Sequence, residues 1–226
     1  MSQTLDTASS IIHVNLPAMK RNIARIRKHI GPKTEIIYVA KSNGYGNGIS
    51  VPAVYMRDNC SMKYFATSQI GEALQLREAG ITEDILVLSA VPFSAIPEFV
   101  HQNLVATVYD DSFAKALFKE AVKQQKKIKV HIKIDTGLHR IGLPIGQPLA
   151  KLVETLKYLP NLEVAGVFTH LANGYSLDKT ITHHQHALFE QGLRQLHQAG
   201  IRPTMVHMAN TRQPLHRLNV IMMRFD

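Results

Sequence analysis

Short apolar runs rich in β-branched residues recur along the chain and alternate with helical patterns, which restricts the folds open to it. Each run is apolar nearly throughout, as expected for strands of a parallel sheet covered on both faces. Seven runs are predicted as strands: Glu35–Ala40, Tyr64–Ser68, Ile85–Ser89, Val105–Tyr109, Ile128–Ile134, Val164–Thr169 and Thr204–Met208. Strand and helix follow one another without a Pro-, Gly- or Ser-rich linker, which predicts one α/β domain.

Four of the intervening segments place apolar residues at helical spacing and have recognisable ends. They are Pro17–Ile30, Glu72–Ala79, Ser112–Gln124 and Thr180–Ala199. Ser112 is the predicted N-cap of its helix, because a serine side chain accepts hydrogen bonds from the first free amides. Gly80 and Gly200 are predicted to end theirs, since glycine readily adopts the left-handed conformation that closes a helix.

Two architectures fit this succession, an open doubly wound sheet and a (β/α)8 TIM-type barrel, which typically needs about 250 residues. Seven strands in 226 residues are one short of a closed barrel, and the tail Asn219–Asp226 could begin the eighth. We expect a (β/α)8 barrel truncated before or within its eighth strand, with residues 1–226 forming a single domain.

The chain is basic, with 26 Lys and Arg against 17 Asp and Glu, a net charge of +9 at pH 7. Such a charge raises the question of nucleic-acid binding. The cations are scattered, however, and the densest run, Lys123–Lys133, joins a helix end to an apolar strand. We therefore expect no nucleic-acid partner and assign the charge to solubility and to attraction of anionic small molecules.

The remaining composition argues for a soluble cytoplasmic protein without a membrane partner. Cys60 is the only cysteine, which excludes a disulfide scaffold. No apolar run reaches the roughly 18 residues that span a bilayer. The start, MSQTLDTASSIIHVN, lacks the basic and apolar regions of a secretory signal.

Polar residues collect directly after four of the predicted strands. In a parallel barrel these strand ends lie on one face, which is where the active site is found. The four segments are Lys41–Gly48, Lys133–Gly142, Thr169–Gly174 and His207–Thr211. We expect the chemistry of the protein on strands one, five, six and seven.

Lys41 is the sharpest candidate, because a lysine in partly desolvated surroundings suits Schiff-base chemistry. The alternative is an ordinary lysine whose stem lies along the strand end while its ammonium reaches solvent. The glycines after it allow close backbone approach to an anion. They match neither a P-loop, where glycines precede the lysine, nor the GxGxxG of dinucleotide sites.

Several other polar side chains have both a functional and an ordinary interpretation. Arg140 can reach over the barrel mouth or pair with Asp135. His170 and His207, placed at strand ends, can stack on a ligand, bind a metal or be satisfied core histidines. Asn210 and Thr211 suit a phosphate or cap a helix. Three further histidines are expected to form a solvated helix face rather than a zinc site: His183, His184 and His186.

The segment Lys41–Gly48, KSNGYGNG, resembles the cofactor-lysine motif of alanine racemases and follows a similar apolar strand. KIDTGLHRIG, THLANG and HMANT resemble the KxDTGMxRxG, THFAxAD and HxANSA blocks of that family, in the same order and at similar intervals. The resemblance spans nearly the whole chain. It implies a fold-type III pyridoxal 5′-phosphate barrel, normally followed by a β-rich C-terminal domain and working as a head-to-tail homodimer.

The resemblance also implies a role for each matched residue in interconverting L-alanine and D-alanine, the D-alanine serving as a peptidoglycan precursor. Lys41 would form the aldimine with pyridoxal 5′-phosphate and transfer a proton on one face of Cα. Arg140 would contact the phenolic oxygen of the cofactor and the substrate carboxylate, steadied by Lys133, which is carbamylated in many members. The other cofactor contacts implied are Tyr45, Asn210 and Thr211 at the phosphate, His170 on the pyridine ring and His207 behind it.

The sequence departs from the family pattern most at its end. Arg212-Gln213-Pro214 replaces a small apolar run, and Phe225-Asp226 resembles the lead-in to a strand whose arginine partners the pyridine nitrogen. That arginine, to which Arg224 is not equated, and the domain with the opposite-face tyrosine do not follow. We expect an N-terminal barrel with little or no racemase activity by itself.

Three alternatives stay open. A non-catalytic pyridoxal-phosphate barrel that serves cofactor homeostasis has about this length, but lacks the glycine-rich segment after its lysine and the DTGxxR block. A racemase for serine or a broader range of amino acids would share the same motifs. A barrel without any cofactor is the third.

Overall fold

Eight parallel strands form a closed barrel in the computed structural model, which describes residues 11–174, 176–209 and 220–223. The strands are β1 (Glu35–Val39), β2 (Tyr64–Thr67), β3 (Asp84–Val87), β4 (Val105–Val108), β5 (Ile128–Lys133), β6 (Leu162–Phe168), β7 (Met205–Ala209) and β8 (Val220–Met223). The helices are α1 (Leu16–Ile30), α2 (Lys41–Tyr45), α3 (Ser50–Cys60), α4 (Ile70–Glu78), α5 (Ile96–His101), α6 (Asp111–Lys123), α7 (Gln147–Leu156) and α8 (Thr180–Gln198). The predicted barrel is confirmed.

The eighth strand, which the sequence left as an open question, closes the barrel. β8 pairs with β7 on one side and with β1 on the other, in register from Glu35↔Val220 to Tyr38↔Met223. A four-residue strand suffices here because both of its edges are paired. The tail therefore supplies the strand that seven apolar runs lacked, and no strand edge stays open for pairing with another chain.

Two apolar layers follow from the alternation of side chains along each strand. In β1, Ile36 and Tyr38 belong to the large core between barrel and helices, which also holds Ile23 of α1. Ile37 and Val39 point the other way, into a smaller cluster inside the barrel. Lys41 comes two residues after Val39, directly beyond the end of β1. The lysine therefore lies at the barrel mouth, where the strands end.

One predicted helix cap is wrong. Ser112 lies inside α6, and Asp110 is the N-cap, with its side chain accepting a hydrogen bond from the amide of Phe113 at 2.7 Å. Aspartate caps as well as serine, and because Asp110 comes two residues before Ser112, the helix starts earlier than predicted. Gly80 and Gly200, in contrast, have φ of 83° and 82° and follow their helices as predicted.

Candidate active site

Lys41 begins a turn of left-handed backbone directly after β1. Ser42, Asn43 and Gly44 have φ of 54°, 53° and 61°, and Tyr45 has 55°. Such backbone is unfavourable for residues other than glycine, so neighbouring hydrogen bonds must hold it. The turn brings the ring of Tyr45 to 5.9 Å from Nζ of Lys41. The segment Ser42–Gly48 therefore folds the chain back over Lys41.

Hydrogen bonds inside this turn stabilise its unusual shape. The amide of Gly46 donates to the carbonyl of Asn43 at 3.0 Å, and that of Gly48 donates to the same carbonyl at 2.9 Å. Nδ2 of Asn47 donates to the carbonyl of Gly44 at 3.1 Å. The side chain of Asn47 thus stabilises the turn.

Asp135 shapes the loop after β5 that carries Arg140. Its Oδ1 accepts hydrogen bonds from the amides of Gly137, Leu138 and His139 at 3.0, 3.0 and 3.1 Å. Burial alone would raise the pKa of Asp135, but these amides outweigh it and lower the pKa. Its ion-pair partner among the described residues is His139, not Arg140. Arg140 stays exposed, with its guanidinium available to a ligand.

Lys133 is a buried cation below this loop. Only 3 % of it is exposed, and its Nζ lies 5.3 Å from the centroid of the Phe168 ring. Burial, followed by the positive charge of Arg140, lowers the pKa of Lys133 to about 8. Asp135 opposes this shift, and the charge of Lys41 adds to it. Lys41, Lys133 and Arg140 therefore repel one another across one small space.

His170 faces the same space from the loop after β6. Its pKa is lowered to about 4 by burial and then by the charges of Arg140, Lys133 and Lys41, so the ring is neutral at pH 7. The backbone beside it is held by buried Gln185 of α8, whose Nε2 donates to the His170 carbonyl at 3.3 Å. Oε1 of Gln185 accepts a hydrogen bond from the amide of Ala172 at 2.8 Å.

His207 occupies the barrel interior rather than a strand end, since β7 continues to Ala209. It is fully buried, and its ring stacks on Phe168 with centroids 4.7 Å apart. Its Nε2 lies 3.0 Å from Nδ1 of His131. Its Nδ1 has no hydrogen-bond partner among the described residues. Nδ1 of His207 can therefore bond only to a group other than the described residues.

Three residues of this site escaped the sequence reasoning: His131, Phe168 and Gln185. His131 lies two residues before Lys133 in β5, so the two-residue period of a strand puts both on the inner face and could have revealed it. Phe168 could have been found in the same way from His170. Nothing local marks Gln185, which reaches the site only because α8 packs beside the β6 loop.

Two predicted phosphate contacts, Asn210 and Thr211, lie outside the described residues, as do Arg212-Gln213-Pro214, Arg224 and Phe225-Asp226. Among the residues that are described, no cluster of three or more His, Cys, Asp or Glu could hold a metal. No helix within the same ranges is long and apolar enough to cross a membrane. Two lysines of the basic run Lys123–Lys133 have contacts within the protein. Lys129 forms an ion pair with Asp84 at 2.8 Å, and Lys133 is buried.

The chemistry available is that of a site for an anion beside a lysine amine. Three cations lie near one another, and the carboxylate of Asp135, which acts on Lys133, is already engaged by backbone amides. Burying like charges is unfavourable unless an opposite charge joins them. A ligand with more than one negative group would relieve this repulsion.

A sequence model of the family described as alanine racemase, N-terminal domain, matches residues 14–225. An alanine racemase of Methanococcus maripaludis is 35% identical over 199 residues, covering 88% of this chain and 53% of that protein. Alanine racemase 2 of Caldanaerobacter subterraneus subsp. tengcongensis is 32% identical over 200 residues, covering 88% and 51%. The chain thus spans about half the length of these curated relatives.

Solved structures agree with this match. The alanine racemase of Clostridium difficile 630 superposes with a TM-score of 0.89 at 27% identity, covering 94% of this chain and 56% of that one. The Bacillus anthracis enzyme with bound L-Ala-P gives 0.87 at 28% identity, covering 95% and 58%. Alanine racemases depend on pyridoxal phosphate. With nearly its whole length matched and the same barrel, the chain belongs to the alanine racemase N-terminal domain family.

Proposed function

We propose that this chain is the cofactor-binding barrel of an alanine racemase, with residues 1–226 as that domain. The observation that carries the proposal is the convergence of Lys41, Lys133 and Arg140 on neutral His170 at the barrel mouth. This set requires an anionic partner and offers it an amine nucleophile.

The residues fit pyridoxal 5′-phosphate. Its phosphate and phenolate match a site with three cations, its aldehyde matches Lys41, and its flat ring matches the neutral imidazole of His170. When bound, the cofactor supplies the electron sink that makes proton removal from Cα of an amino acid feasible. Tyr45, which the left-handed turn folds over Lys41, would contact the phosphate, together with Asn210 and Thr211.

The proposed role of each side chain follows from its charge. Lys41 holds the cofactor and moves a proton at Cα through its Nζ. Arg140, exposed and unpaired with Asp135, binds the phenolic oxygen and the carboxylate of the amino acid through its fork of donors. His170 stays neutral, so it adds no charge above the pyridine ring, and buried His207 supports it from below.

Lys133 is proposed to be carbamylated. An amine with a pKa of about 8 is partly neutral at pH 7 and can add to carbon dioxide, forming a carbamate and releasing one proton. The product is an anion between Lys41 and Arg140, which converts mutual repulsion into attraction. It would hold Arg140 in the orientation that the substrate needs.

Racemisation needs a proton-transferring group on each face of Cα, and Lys41 supplies one of them. We propose that the second comes from the part of the relatives that this chain does not span, so that the chain alone interconverts L- and D-alanine slowly at best. Assembly as a homodimer, cytoplasmic location and supply of D-alanine to peptidoglycan belong to the same proposal.

Borohydride reduction after incubation with pyridoxal 5′-phosphate, followed by peptide mapping, tests the site. The expected result is a pyridoxyl group on Lys41, lost in Lys41→Ala and kept in Lys63→Ala, an exposed lysine at the other end of the barrel. Label spread over surface lysines in a folded protein would refute the proposal. Restoring the C-terminal part of a relative would then separate a racemase, which gains activity, from a non-catalytic cofactor barrel.

A further inference from the structure

Glu72, in the first turn of α4, joins two loops at the barrel mouth. Its Oε2 accepts hydrogen bonds from the amides of Ser68 and Gln69 at 2.9 and 3.0 Å, which caps the helix after β2. Its Oε1 accepts a third from the amide of Ser42 at 2.6 Å, thirty residues earlier in the chain. One carboxylate therefore holds the α4 cap and the turn that starts with Lys41.

The third bond matters because of where Ser42 lies. Ser42 is the first residue of the left-handed turn, immediately after Lys41, and its own φ is 54°. The bonds of Gly46, Asn47 and Gly48 hold the far end of that turn. Its start is held by the Glu72 bond together with a bond from the amide of Gly44 to the carbonyl of Ala40 at 3.1 Å. A charged acceptor is stronger than a neutral one and can offset the cost of unfavourable backbone.

We propose that Glu72 is a positioning residue for Lys41: it anchors the Ser42 amide, and so sets the exit direction of the lysine from β1. The cap of α4 and the lysine turn then form one unit. The relevance to catalysis rests on the proposed function, but the structural link does not depend on any cofactor.

Glu72→Gln separates the two tasks of this carboxylate. A glutamine has a single acceptor oxygen, and its NH2 group cannot accept from an amide. Two donors, Ser68 and Gln69, compete with one, Ser42, so the oxygen stays with the helix cap. The variant is expected to keep α4 and to lose the anchor of the lysine turn.

Asp110→Asn is the matched control. Asp110 is also a capping carboxylate after a strand, with its Oδ1 on the amide of Phe113, and it loses the same charge. It makes no hydrogen bond to the lysine turn among the described residues. Both variants are compared with the parent chain by hydrogen exchange and by acylation of Lys41 with an N-hydroxysuccinimide ester, without cofactor.

Glu72→Gln is expected to speed amide exchange in the peptide 41–49 by about tenfold, the size of one charge-assisted hydrogen bond. Acylation of Lys41 should rise severalfold, while exchange in 73–79 and all values in Asp110→Asn stay at the parent level. Unchanged exchange in 41–49, or unchanged reactivity of Lys41, would overturn the proposal. Because both readouts are free of cofactor, they stand apart from pyridoxyl labelling, whose failure would count against the proposed function alone.

Discussion

Nδ1 of His131 lies 3.0 Å from Nε2 of His207 inside the barrel, so that one imidazole donates a hydrogen bond to the other. Both rings are buried, and burial is the main cause that lowers the pKa of each. Two neutral histidines share this hydrogen bond without a buried charge. The pair therefore stays neutral next to a site that carries positive charge. Protonating either ring would lower the stability of the fold.

Acid should unfold this protein through its buried histidines. The pKa of His131 and of His170 is lowered from 6.5 to about 4 in the fold, so the unfolded chain binds more protons between these values. The free energy of unfolding therefore falls as the pH drops from 6.5 to about 4, by about 3 kcal/mol for His131. Urea titrations from pH 7 to pH 4 measure this loss.

His170→Gln should reduce the slope of that loss by about one proton, because it removes one group that titrates only on unfolding. His183→Gln, at an exposed position of α8, is the control for replacing a histidine on the surface. An equal slope in all three proteins would contradict the assignment.

Replacing Lys133 with methionine should stabilise the barrel at neutral pH. The pKa of Lys133 is lowered from 10.5 to about 8, so its protonated form opposes folding below pH 8. Lys133→Met is expected to gain up to about 3 kcal/mol at pH 7, and the gain should shrink from pH 8 and vanish near pH 10.5. Chemical denaturation across this range checks it.

The same variant tests carbamylation. Added bicarbonate should raise the unfolding temperature of the parent chain, with uptake of isotope-labelled carbon at Lys133, and should do neither in Lys133→Met. Stabilisation of both proteins by bicarbonate would argue for a general salt effect instead.

Gly166 gives His131 its place in the barrel. A Cβ at Gly166 would come within 2.5 Å of the His131 ring, far inside van der Waals contact. Gly166→Ala should cost about 2 kcal/mol or more in urea denaturation. Gly71→Ala, in α4 with nothing within 4 Å of the added Cβ, is the control and should gain up to about 1 kcal/mol.

The cost of Gly166→Ala should fall when His131 is already alanine, since the clash is then gone. A double-mutant cycle measures this coupling. Additive effects would show that the glycine acts through the backbone rather than through the imidazole.

Arg77 ties together loops at the end of the barrel opposite the site. Its guanidinium donates to four carbonyls, at 2.7 to 3.1 Å: Ile81, Glu83, Gln102 and Asn103. Arg77→Ala should lower the free energy of unfolding by about 2 kcal/mol or more, because several charge-assisted bonds are lost together. Arg77→Lys should recover only part of it, since an ammonium lacks the planar fork. Lys157→Ala, at an exposed ion pair, should change little by the same measurement.

The sequence determined a parallel sheet covered on both faces and the end of that sheet where the chemistry lies. Apolar runs without alternation require a sheet covered on both sides, and the polar segments after β1, β5 and β6 must meet at one end because the strands are parallel. Lys41 was found in this way. The tail was predicted only as a possible start of the eighth strand, because four apolar residues are too few to predict a strand by themselves. Pairing with β1 and β7 makes them one.

The tertiary structure decided what each polar side chain meets. The sequence allowed Arg140 to pair with Asp135, but the Asp135 carboxylate accepts hydrogen bonds from three amides of its own loop instead. The sequence predicted His207 at a strand end, whereas in the closed barrel His207 is buried against His131. Glu72 reads locally as a helix cap, and only the packing of two loops adds the amide of Ser42. Such contacts join residues that are far apart in the chain, so no local pattern encodes them.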